Sequence, residues 1–169
     1  MPVRSAALQP PREQVAPVRV AVPSVDVDMR VEPVGVLTSG AMDVPERPSV
    51  AGWYRFGPDA SSREGTTVLA AHVDSLEWGL GPFVRIRELP RGARVLLTDD
   101  RGERVEYRVE GVERTAKADL PVGRLFSRSG DRRLVLITCG GSFDRTTRTY
   151  SQNVIVHARP ADPPGSAND

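Results

Sequence analysis

The sequence predicts an all-β fold, a barrel or a sandwich, on three observations. Short apolar or alternating runs recur along the chain, separated by clusters of Gly, Pro and Asp. Two of these runs, Thr66-Thr67-Val68-Leu69-Ala70-Ala71-His72 and Leu134-Val135-Leu136-Ile137-Thr138-Cys139, are mostly apolar and rich in β-branched residues, the pattern of buried core strands. Two others flank Asp99-Asp100-Arg101-Gly102, a hairpin turn signal.

In chain order the expected strands are Val18–Val22, Met29–Leu37, Val50–Phe56, Thr66–His72, Arg94–Thr98, Arg104–Glu113, Arg133–Cys139 and Asn153–Ala158. In Arg104–Glu113, Tyr107, Val109 and Gly111 alternate with charged residues, so one face of that strand should be wet. Short helices fit Pro82–Leu89 and the neighbourhood of Val122–Ser127. The stretch 1–17, rich in Pro, Gln, Arg and Ala without apolar periodicity, reads as a disordered tether. Residues 18–159 read as the domain and 160–169 as a second disordered tail. At 169 residues the chain fits one domain with tails.

Composition narrows the function classes. A formal net charge of +1 offers no basic footprint for nucleic acid. Arginine carries nearly all the positive charge, Lys117 being the only lysine, a bias that reads as genome composition. A single cysteine excludes an internal disulfide framework and a zinc site built on several thiolates. No apolar run approaches the roughly 20 residues of a membrane helix, and the N-terminus lacks a signal-peptide pattern.

The chemistry-bearing residues lie at strand ends. Cys139 is the last side chain of its run, followed by Gly140-Gly141, which would let the backbone turn and leave the sulfur accessible. His72, one of two histidines, ends the other buried run. A thiol and an imidazole delivered by two core strands are the pair required for cysteine nucleophilic catalysis. Cysteine alone would as readily be a small buried hydrophobe. His157 reads as a strand-surface histidine, and Asp74 either orients His72 or caps the turn after it. Trp53 and Trp78 read as core or rim residues, with Trp78 able to line a groove. A zinc site from His72, His157, Asp74 and Cys139 lacks the short paired spacings of known sites.

Three features together resemble the sortases, cysteine transpeptidases of Gram-positive cell surfaces. Leu136-Ile137-Thr138-Cys139 matches the family's Leu-x-Thr-Cys motif, and Ala71-His72-Val73-Asp74-Ser75 resembles its histidine motif. An arginine is then expected near the start of the last strand, where Arg145 and Arg148 precede Tyr150 and Asn153. The Cys-Gly-Gly-x-Phe-Asp segment, the Arg-x-Tyr-x-x-Asn pattern and Gly52-Trp53-Tyr54 look most like class F sortases of actinomycetes. The sequence departs from that class at Ala71, where glycine is usual, and at Ser151, where relatives often carry the arginine. Strand alternation sets Arg148 on the face opposite Ser151 unless a bulge or loop intervenes. Arg148, at the strand entrance, is the favoured arginine and Arg145 the alternative.

The resemblance implies an eight-stranded sortase-like β-barrel with short helices in its connections, and catalytic residues His72, Cys139 and Arg148. It implies no obligatory organic cofactor, and no residue is assigned to a metal. It further implies LPxTG-like C-terminal sorting signals of surface proteins as substrates, an amine of the cell envelope as acceptor, and a thioester on Cys139. An extracytoplasmic location goes with it, with a membrane tether expected upstream and the Pro-rich start as a stalk. Alternatives are a cysteine peptidase using water as acceptor and a non-catalytic peptide-binding barrel.

Overall fold

The computed structural model describes residues 13–161. Most of the tail expected at 160–169 and most of the tether at 1–17 lie outside that range. Pro160, however, is the last residue of the final strand, opposite Tyr107, and the Ala161 N–H donates to the Glu106 carbonyl. The domain therefore runs past its expected end at 159. The strands are β1 (Pro17–Val22), β2 (Val27–Val34), β3 (Val50–Tyr54), β4 (Thr66–Ala70), β5 (Asp74–Ser75), β6 (Gly79–Leu80), β7 (Arg94–Asp99), β8 (Arg104–Ala116), β9 (Arg133–Asp144) and β10 (Thr149–Pro160). Eight of them close a barrel in the order β1-β2-β3-β4-β9-β10-β8-β7, and β5 and β6 form a separate two-stranded ribbon. The Pro82–Ile86 segment is a 3-10 turn, and the second expected helix is a single α-turn, α1 (Val122–Leu125).

Closure depends on two parallel pairings, β2 with β3 and β4 with β9; the other ladders are antiparallel. Side chains alternate across β4 and β9, and both faces are covered. Leu69, Leu134 and Leu136 point into the barrel, where they pack with Trp53, Tyr107 and Phe83. Val68, Ala70, Val135 and Ile137 face outward onto Ile155, Leu125 and Phe126, so α1 and its flanks form a lid over that wall. This double burial is why β4 and β9 read as continuous apolar runs.

The barrel begins before Val18. Val15 is 4% exposed, its N–H donates to Asp59 Oδ2 at 2.9 Å, and Pro17 already pairs with Asp99. Residues 15–17 therefore belong to the domain and not to a tether. Asp59 is itself buried and also accepts from the Ser61 N–H and hydroxyl and the Ser62 hydroxyl. Burial pushes its carboxyl up, and these hydrogen bonds outweigh that and hold it below the usual carboxylate range.

Candidate active site

The parallel register of β4 and β9 brings the site together. Ala70 stands opposite Ile137, and the last link is the Ala71 N–H donating to the Ile137 carbonyl at 3.1 Å. Two residues further on, by the same register, His72 falls opposite Cys139. Period-two alternation puts both on the outer face with Ala70 and Ile137. His72 thus lies beyond the end of β4, which stops at Ala70 and not at the histidine.

β9 does not stop at the glycines. It runs through Gly140 and Gly141 to Asp144 and returns as β10. Asn153 pairs with Cys139 and Gln152 with Gly140, but Tyr150 pairs with Phe143, so β9 carries one extra residue there. Gly141, at φ +76°, absorbs this bulge, and a Cβ on it would sit 2.3 Å from Ser151 Oγ. Ser151, where relatives often carry arginine, instead accepts the Ser142 N–H at 2.9 Å and closes the bulge. The bulge is what breaks the simple face count and re-aims the Arg145–Arg148 tip. Arg148 occupies the left-handed region at φ 55°.

His72, Cys139 and Arg148 accordingly line one cleft of about 210 Å³, together with Val73, Asp74, Lys117, Phe143, Thr149 and Tyr150. Arg145 does not reach it. It lines an adjoining outer lobe with Leu76, Ser75, Asp74, Phe143 and Arg148. Cys139 is half-buried.

Asp74 does not bond to His72. Its Oδ2 accepts from the Tyr150 hydroxyl at 2.5 Å, and that bond, with burial and the negative charge, pushes the phenol up to about 12. His72 is exposed as a residue, yet the protein atoms around it displace part of its water. That burial, helped by the positive charge of Lys117, lowers its pKa against the opposing pull of Asp74 and Glu46. His157 lies elsewhere, with Nε2 2.7 Å from Glu113 Oε2. Trp53 is core, and exposed Trp78 stacks under Arg47, 5.0 Å from the ring centre. Among the described residues no group of three or more His, Cys, Asp or Glu is placed to hold a metal.

Lys117 is the cleft residue that sequence reasoning passed over. It opens the short 3-10 turn Lys117–Asp119 after β8, and its Nζ lies 3.0 Å from Cys139 Sγ. Its only signal in the sequence was its singularity among the basic residues.

A closed eight-stranded barrel with a thiol and an imidazole lining one cleft defines a sortase-like fold. The chain belongs to the sortase family: the sortase domain matches residues 20–161, and the family is one of cysteine transpeptidases. Solved structures similar to it include sortase C1 of the Group B Streptococcus pilus island 1, at 15% identity and a TM-score of 0.63 over 89% of this chain and 66% of that one. Sortase A of Listeria monocytogenes gives 23% identity and a TM-score of 0.61, with 89% of each chain covered. Sortase C-1 of Actinomyces oris gives 16% identity and a TM-score of 0.65, covering 86% of this chain and 73% of that one. No curated protein sequence matches the chain at a significant level. The structural likenesses speak for the fold, and they include both class A and class C enzymes.

Proposed function

We propose that this chain is a class F-like sortase that cleaves an LPxTG-like sorting signal through a thioester on Cys139 and transfers the acyl group to an amine. The observation that carries the proposal is the convergence of Cys139, His72 and Arg148 on one cleft. The class F reading rests on the Cys-Gly-Gly-x-Phe-Asp and Arg-x-Tyr-x-x-Asn segments.

In this mechanism the Cys139 thiolate attacks the carbonyl carbon of the scissile peptide bond. A carbon–sulfur bond forms and the carbonyl electron pair moves to oxygen, beside the fixed charge and forked donors of Arg148. The carbon–nitrogen bond then breaks, and the departing nitrogen takes a proton from His72. The lowered pKa of His72 makes its imidazolium a readier proton donor than an ordinary one. Once it has given the proton it is neutral and can accept one from the incoming amine. That amine attacks the thioester, gives its proton to His72 and expels the thiolate. The membrane-anchored, extracytoplasmic setting of sortases is the location proposed for this enzyme.

A fluorescent Leu-Pro-x-Thr-Gly peptide, incubated with and without an amine nucleophile, tests the proposal. The expected result is cleavage, with a ligated product formed in proportion to the amine. Release of free acid alone would make the chain a peptidase. Absence of both cleavage and any acyl mass on Cys139 would leave a binding barrel.

A further inference from the structure

Lys117 touches the reacting atom, and nothing in the proposed chemistry uses it. The contact is specific to how β8 ends. The strand runs to Ala116, antiparallel to β10, with Thr115 opposite Asn153 and Ala116 opposite Gln152. Asn153 is in turn the partner of Cys139 across the β9–β10 ladder. The 3-10 turn at Lys117–Asp119 follows and lies against β10 and β8, and from it the four-carbon stem of the lysine delivers Nζ to 3.0 Å from Sγ. A compact ammonium with three donors at that distance is a counter-charge for a thiolate.

The groups around the sulfur favour that role. From the loop after β4 comes His72; from β5, Asp74; and from the β9–β10 hairpin, Arg148 and Tyr150. Glu46 acts on His72 from the β2–β3 connection, and Arg87 acts on Tyr150. Asp74 is occupied by the Tyr150 hydroxyl. His72 resists protonation, in part because Lys117 is already charged beside it. Lys117 is the cation in contact with sulfur.

We propose that Lys117 is a catalytic residue that holds Cys139 as the reactive thiolate, leaving His72 free to carry only the proton of the amine. The inference rests on Cys139 being the nucleophile. On attack, the sulfur electron pair forms the carbon–sulfur bond and the negative charge passes from Sγ to the carbonyl oxygen, so the ammonium loses its counter-ion as Arg148 gains one. When the acceptor amine resolves the thioester, the pair returns to sulfur and Lys117 receives the thiolate again. The proton that the departing nitrogen needs comes from His72, which enters acylation protonated and recovers a proton from the acceptor amine in the second half-reaction. No proton leaves Lys117 in either.

Alkylation of the intact chain by iodoacetamide, an uncharged reagent that needs no peptide substrate, tests this apart from the transpeptidation reading. The rate is followed from pH 5 to 10 in wild type, Lys117→Met, Lys117→Arg and His72→Asn, with thermal unfolding as a control for folding. Loss of one close opposite charge is worth about one pKa unit. Lys117→Met is therefore expected to slow alkylation at pH 7 by about ten-fold and to move the profile to higher pH. Lys117→Arg should retain most of the rate, and His72→Asn should slow it less than Lys117→Met does. A wild-type profile in Lys117→Met, or an effect carried wholly by His72→Asn, would overturn the assignment. If Lys117→Met unfolds, Lys117→Gln read against Lys117→Arg gives the same comparison.

Discussion

Arg148 combines two properties that substitutions separate. It lines the cleft that holds Cys139, and its backbone sits at φ 55°, where a Cβ is crowded. For a non-glycine residue that conformation costs roughly 1–2 kcal/mol. Removing a donor aimed at a developing oxyanion costs about 100- to 1,000-fold in turnover, or about 2.7–4 kcal/mol. Arg148→Ala removes the donor and keeps the strain; Arg148→Gly removes both. Both variants should lose turnover by about 100-fold or more in the peptide assay. The glycine variant should melt higher than the alanine variant, by a few degrees for about 1 kcal/mol in a domain of this size. Arg148→Lys should restore turnover only in part, because a point charge does not reproduce a planar fork. Arg145→Ala, altered only in the outer lobe, should stay within about ten-fold of wild type, since it removes no oxyanion donor. A crippled Arg145→Ala beside a healthy Arg148→Ala would transfer the role to Arg145.

Cys139→Ala should abolish cleavage and leave the melting temperature near wild type, since only a half-buried sulfur is lost from an otherwise unchanged ladder; residual turnover in the purified variant would sink the thioester route. His72→Ala should cost about 100- to 10,000-fold in rate, and His157→Ala little, because its partner is Glu113 on the opposite ladder; the reverse ranking would move the acid. Asp59→Asn should cost about 1.5–3 kcal/mol, the worth of hydrogen bonds to a charged group, seen as a drop in urea midpoint. Because the folded carboxyl lies below its ordinary value, its contribution is present above about pH 4 and lost as pH falls through the lowered folded value. The Asn variant should therefore show a flatter acid limb than wild type.

The barrel was legible because β4 and β9 are buried on both faces and say so in composition. The hairpin at Asp99-Asp100-Arg101-Gly102 was legible because its turn chemistry is local. What joins β2 to β3 and β4 to β9 was not, since a parallel register is set by packing between distant segments. The two-residue strands β5 and β6 are too short to carry a period. Gly140 and Gly141 misled by the same property that makes them useful: a glycine that permits a chain to turn also permits a strand to bulge and continue. Cys139 and His72 announced themselves through motif and position, whereas Lys117 sits in a polar stretch where only the folded chain shows what it touches. Val15 was hidden by its polar and proline-rich neighbours, although its burial and its bond to Asp59 anchor the first strand.

The place where β4 ends and β9 goes on has a temporal consequence. An amide in the β9–β10 ladder exchanges its hydrogen only when that ladder opens, whereas a segment past a strand end exchanges by small local fluctuations. Cys139 belongs to the first kind, bonded into the hairpin beside Asn153. His72 and the Arg148 tip belong to the second, carried on connections outside the strands. An acyl group on this sulfur would ride on the slow clock of the barrel while the groups that donate and accept protons around it keep the fast clock of loops. Occupants could change at the cleft mouth, a departing amine for an arriving one, without the carbon they exchange ever losing its address.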